Sequence, residues 1–290
     1  MKKLYTPCLL SAFLLLAACK KDSPPGGGPH DVPAPLLKSI DYTDAYDVSS
    51  TLYQYDEKGH LLKLQSVYKT PTDSGKYYHR YAWSGSQVLA KEFDKMDVEL
   101  PASATTYTLN SQGYTASRVY QAFDNNLNKY VEYKNLFEYG SDNYLKKISN
   151  YYVPDNSLTY VFEYQYNSNH ELDSISGYLN AGNNNLQKYV VWIFQYEEGK
   201  KNTIGNSAMS GSIDDALNLS GKGQPYALKK EQLFVYNSTK KKWTLNTEDT
   251  YTNQYDAKGL QASRSLKSLY YFADGSAADS VTATYVYTYQ

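Results

Sequence analysis

Along most of the chain apolar and polar residues alternate one by one, the period of a strand with two unlike faces. Leu158, Tyr160, Phe162, Tyr164 and Tyr166 share one parity, and Thr159, Val161, Glu163, Gln165 and Asn167 share the other. Tyr77, His79, Tyr81 and Trp83 form a second aromatic set, and Val190, Trp192, Phe194 and Tyr196 a third. Each strand thus has one aromatic and one largely polar face. Only the stretch Ser212 to Leu219 hints at a helical turn, inside a longer loop that ends near Pro225.

The strands are punctuated by a recurring signature. Tyr53 and Tyr55 are followed by Asp56, Gly59, Leu61 and Leu64. Phe137 and Tyr139 lead through Asn143 to Leu145 and Ile148, and Tyr164 and Tyr166 lead through His170 to Leu172 and Ile175. Weaker copies begin at Tyr107 with Gly113, Phe194 with Gly199, Phe234 with Asn237, and Tyr255 with Gly259. Asp or Asn opening a turn accepts backbone hydrogen bonds, and Gly three residues later suits positive φ, so the signature predicts a strand, a type I turn and a returning strand. Asn143 and His170 occupy the glycine position, which makes both of them turn residues first. Second connections are expected at 70–75, 123–128, 153–156 and 273–276.

Together these elements predict an all-β domain from Leu36 to Gln290, an up-and-down antiparallel meander of about a dozen or more strands. A sheet of that width curls or closes, so a barrel is the expected form, with an open or spiral sheet as the alternative. With 33 tyrosines in the chain, its interior is expected to hold large rings, neighbouring one another across strands. Charged residues such as Lys63, Lys147 and Arg264 interrupt both faces, which argues against a lipid-embedded barrel. The chain also ends at Gln290 rather than at an aromatic residue.

Ahead of this domain stand basic Lys2 and Lys3 and an apolar run from Leu9 to Leu16, too short for a permanent membrane helix. Leu16, Ala17, Ala18 and Cys19 resemble the lipobox of bacterial lipoproteins. That resemblance implies a signal peptide over 1–18, cleavage before Cys19, and an acylated Cys19 holding the protein to the membrane. Lys20 stands where the family's inner-membrane retention signal would place Asp, which implies delivery to the outer membrane. Residues 20–35 are rich in Pro and Gly and read as a tether with a reach of about 22 Å.

Composition narrows the chemistry. Loss of Lys2 and Lys3 leaves 27 basic against 30 acidic residues, a net charge of −3, with nothing to suggest a nucleic-acid partner. Cys8 falls in the leader, so no internal disulfide is expected. No nucleophile elbow, metalloprotease helix or calcium loop occurs, His60 and His79 lack ligand spacing, and Glu197, Glu198, Asp214 and Asp215 read as solvated. No enzyme activity and no cofactor are therefore expected, with a hydrolase whose site meets only in three dimensions as a lesser alternative.

The Tyr-x-Tyr-Asp/Asn-x-x-Gly-x-Leu signature resembles the YD repeats of RHS-type proteins and a family of uncharacterised lipoproteins with a porin-like β fold. The resemblance spans most of 36–290 and implies a fold and an envelope address, without functional residues. Two functions follow as expectations: a surface binding module for a glycan, peptide or envelope partner, or a structural subunit of an envelope complex. Tyr78, Tyr130, Tyr189 and Trp243 are the candidate contacts, the first three by their place on the polar parity and Trp243 by its place after Lys240–Lys242.

Overall fold

The structure is a computed structural model that describes residues 36–125, 127–203, 219–272 and 275–290. The signal peptide, Cys19 and the tether therefore lie outside the described residues, as do Asp214, Asp215 and all of the predicted helical turn except Leu219.

Among the described residues sixteen antiparallel strands follow one another around one closed barrel. The first five are β1 (Leu37–Thr43), β2 (Val48–Tyr55), β3 (Leu61–Lys69), β4 (Ser74–Ser84) and β5 (Gln87–Phe93). They are followed by β6 (Thr105–Leu109), β7 (Thr115–Asp124), β8 (Lys129–Tyr139), β9 (Leu145–Tyr152), β10 (Ser157–Tyr166) and β11 (Leu172–Asn180). The last five are β12 (Leu186–Lys201), β13 (Tyr226–Asn237), β14 (Lys242–Tyr255), β15 (Gln261–Tyr271) and β16 (Ala277–Tyr289). Every strand pairs with its sequence neighbours, and β16 returns to β1 with Tyr42 opposite Tyr285. That ladder removes both edges and overturns the open or spiral alternative.

An even strand number puts the start of β1 and the end of β16 at one end of the barrel, where the Gln290 amide donates to the Leu36 carbonyl at 3.0 Å. This near end carries the signature turns. Gly59, Gly113 and Gly259 have φ of 85°, 83° and 78°, and Asn143 and His170 take the same region in their turns. Asp56 Oδ1 accepts the amides of Lys58 and His60, and Asn110, Asn167 and Asp256 repeat the pattern. The far end carries the second connections, where the sequence placed them.

Two copies depart from the expectation. Tyr196 does not lead into a hairpin: β12 continues through an irregularity to Lys201, and the next connection is the long one ending at Pro225. The copy at Phe234 does turn, but at the far end, so its ring faces outward and Tyr236 is left exposed. Parity had no way to tell which end a turn occupies.

Each signature turn is followed by a one-residue irregularity in register at the start of the returning strand. Such a bulge leaves a ladder position unpaired, and at four of the five an aromatic side chain of the next strand donates to the carbonyl that begins the returning strand. Tyr139 donates to the Thr115 carbonyl at 2.8 Å, Tyr196 to Leu172 at 3.1 Å, Tyr289 to Gln261 at 2.8 Å, and the Trp83 indole to Leu61 at 2.8 Å. Many tyrosines are thus structural donors.

Packing is graded along the axis. The fully buried rings, Tyr53, Tyr81, Tyr107, Tyr114, Phe137, Tyr144, Phe194 and Tyr287, all lie in the near half. The connection after β12 adds to this core: Leu219 is buried against it, the Thr115 amide donates to the Leu219 carbonyl, and the Leu172 amide donates to Gln224 Oε1. Gly221, at φ 93°, lies so near the β8–β9 turn that a Cβ would stand 2.8 Å from the Asn143 carbonyl oxygen. In the far half the inward rings are only half-buried. They form ladders of neighbours, as the sequence implied: Tyr120 with Tyr133 at 5.8 Å, Tyr133 with Tyr152 at 5.7 Å, and Phe162 with Trp192 at 5.8 Å. The barrel is a cup, packed where the chain enters and open to water at the far end.

Candidate functional site

Most of the large apolar side chains left exposed gather around the far end of the cup. Phe123 and Tyr130, cross-strand partners at the tip of β7–β8, meet edge to face at 5.3 Å. Tyr236 and Trp243, partners at the tip of β13–β14, meet at 5.4 Å. Phe272, just past β15, is 58% exposed. Beside it lies a cavity of about 300 Å³ lined by the aromatic residues Tyr236, Tyr271 and Phe272, the aliphatic Val235 and Leu245, and the polar Asn237, Ser238, Thr244 and Asn246. That combination of flat apolar faces with amides and hydroxyls can stack on a ring and hydrogen-bond its substituents, and the volume is at the small end for ligand sites, about 300–1,000 Å³.

Of the four contacts read from sequence, the structure brings two to this rim: Tyr130, 50% exposed, and Trp243, 40% exposed. Tyr189 is the unpaired residue of a bulge near the far end of β12 and is half-buried. Tyr78 lies apart on the outer wall, with the ammonium groups of Lys63 and Lys76 over its ring at 4.1 and 4.9 Å. Sequence reasoning missed Tyr236, Tyr271 and Phe272. Tyr236 carried a usable signal, since it and Trp243 flank a four-residue turn and must sit opposite one another.

Inside the barrel, strand pairing places the carboxyls of Glu231 and Asp249 opposite each other, and the Tyr251 hydroxyl donates to Glu231 at 3.4 Å. Burial pushes the Glu231 carboxyl up from 4.5 to about 7; the Asp249 charge adds to this, while Tyr251 and Arg264 oppose it. Asp249 is raised as well, again by burial. Arg264 is itself buried, bonded through Nε to Asn253 and stacked over Tyr251 at 4.9 Å. The group stands among packed rings away from the rim cavity, as an internal polar network.

Three titratable groups singled out by the sequence have structural surroundings of their own. His60 Nδ1 meets Asp56 Oδ2 at 2.9 Å within the turn, so a carboxylate does accompany it, and its ring stacks on Trp83 at 4.4 Å. His79 faces inward, and burial lowers its pKa to about 4, which keeps it neutral. Glu197 is not simply solvated: it accepts from Asn253 at 3.2 Å. Among the described residues no group of three His, Cys, Asp or Glu side chains could hold a metal ion.

No protein-family profile and no curated protein matches this sequence. Solved structures do. A porin-like protein from Bacteroides uniformis superposes with a TM-score of 0.62 at 15% identity, over 88% of this chain and 98% of that one. A porin-like protein from Bacteroides vulgatus gives a TM-score of 0.58 at 8% identity, over 88% and 99%. At such identities the likeness is one of fold, and it agrees with the closed all-β barrel described above.

Proposed function

We propose that this chain is a non-catalytic lipoprotein of the bacterial cell envelope, held to the outer membrane through Cys19, that uses its far rim to bind a glycan or an envelope partner. The observation that carries the reading is the set of exposed rings on the rim at the end opposite Leu36, where the tether joins: Tyr236, Trp243 and Phe272 beside the cavity, and Phe123 with Tyr130 farther round the same rim. A binding surface on an anchored domain works best when it points away from the bilayer. The outer wall supports a water-facing barrel: Lys147 pairs with Glu138 at 3.3 Å and Lys230 with Glu248 at 2.9 Å, charges that lipid would not accept unaided. The alternative of a structural subunit draws its support from the tyrosine hydroxyls spent on bulge carbonyls.

The test is a screen of the chain carrying Cys19→Ser against glycans, peptidoglycan fragments and envelope proteins, repeated with Tyr130→Ala, Trp243→Ala and Phe272→Ala. Loss of one stacking ring is expected to weaken binding about fivefold or more. Binding that survives all three substitutions rejects the rim, and turnover of any substrate rejects the non-catalytic reading.

A further inference from the structure

We infer that the outer wall of β3–β5 is a second binding face, separate from the rim, whose ligand is an acidic polysaccharide. Leu64, Tyr81, Val88 and Ala90 belong to the core, so alternation turns Lys63, Arg80 and Lys91 outward. Register aligns these three cations in one row across the sheet, Lys63 opposite Arg80 and Arg80 opposite Lys91. Like charges directly opposite one another destabilise a sheet. The fold keeps three in line here only by giving each a partner of its own.

The row already shows what it accepts. Asp97 and Glu99, both from the β5–β6 connection, reach back to Arg80 at 2.5 Å and Lys91 at 2.9 Å. Both pairs are solvent-exposed, the kind of contact that a competing anion displaces readily. Lys63 instead lies over the Tyr78 ring. One step along the strands runs a parallel row, Gln65, Tyr78 and Phe93. The wall thus offers cations repeating at the strand spacing of about 4.8 Å and laid against two rings, Lys63 and Lys76 over Tyr78 and Arg80 over Phe93 at 4.5 Å. A polysaccharide with a carboxylate on its sugars supplies both features, closely repeated charge and apolar ring faces. An acidic peptide supplies charge without the ring faces, and a phospholipid surface lacks the close repeat.

The full-length chain purified in detergent is to be run through gels containing polygalacturonate, with dextran as the neutral control. Retardation by polygalacturonate alone is expected. Arg80→Gln with Lys91→Gln should weaken it about fivefold or more, whereas Asp97→Asn with Glu99→Gln should strengthen it by freeing the row. The exposed pair Glu57→Gln with Glu132→Gln changes net charge equally and should leave retardation unchanged. Lys63→Glu should raise the melting temperature while weakening retardation, an opposition that loss of folding cannot mimic. Trp243→Ala with Phe272→Ala should have no effect, which separates this wall from the rim. The inference is overturned by absent retardation, by equal retention in dextran, by indifference to the Arg80 and Lys91 changes, or by tightening in the Glu57 and Glu132 control equal to that of Asp97 and Glu99.

Discussion

Tyrosine is the residue on which this protein turns, and its abundance has two uses that look alike in sequence. At Tyr139, Tyr196 and Tyr289 the ring packs inward and the hydroxyl satisfies a carbonyl beyond the adjacent turn. Tyr196→Phe keeps the ring and orphans the Leu172 carbonyl, so chemical denaturation should show a loss of about 1–2 kcal/mol. An unchanged midpoint would mean that water serves that carbonyl as well. Parity told inward rings from outward ones, but the acceptor of each hydroxyl lies more than twenty residues away and left no local mark. Glu231 was equally hidden, since its partner Asp249 is defined only by strand register. Its raised pKa means that the folded chain holds this proton more tightly than the unfolded chain. The stability it contributes is therefore full below about pH 4.5 and is lost as pH rises through 7. Glu231→Gln should flatten that decline, gaining about 3 kcal/mol relative to the parent between those limits. Parallel curves across the window would show that Glu231 is not the group responsible.

The hairpin is the element that sequence disclosed best. Asx acceptor and positive-φ residue sit at fixed spacing, each for a local physical reason, and the turns at Asp56, Asn110, Asn167 and Asp256 obey them, although the aliphatic that follows at Leu61 and Leu172 is replaced by Thr115 and Gln261. Gly59→Val and Gly259→Val place a β-branched side chain at φ near 80°, so each should destabilise by more than about 1 kcal/mol in thermal or denaturant melts. Wild-type melting in both would refute the assigned turn register. The pattern misled at Tyr196, where a turn motif without its Asx residue lets the strand run on to Lys201. It was also silent about the rim, because Tyr271 and Phe272 join Tyr236 only after two more strands have come into place.

For the whole molecule, strand alternation implied a curled sheet, and closure followed from the number of strands rather than from any single residue. Cys19→Ser should move the protein from the membrane fraction to the soluble one and alter its processing; unchanged membrane association would mean that the barrel itself holds the bilayer. The closing seam sets an order of events. Every pairing but β1 with β16 joins sequence neighbours, so hairpins can add one after another as the chain emerges, each but β12 with β13 closing only a short loop. The last ladder differs, since it must bring Tyr285 back to Tyr42 after all the intervening hairpins have formed. Until then β1 is an open edge, able to pair with the β1 of a neighbouring nascent molecule. Crowding of half-made chains is thus the moment when this protein is most exposed to misassembly, and the rate of the final zippering determines how long that exposure lasts.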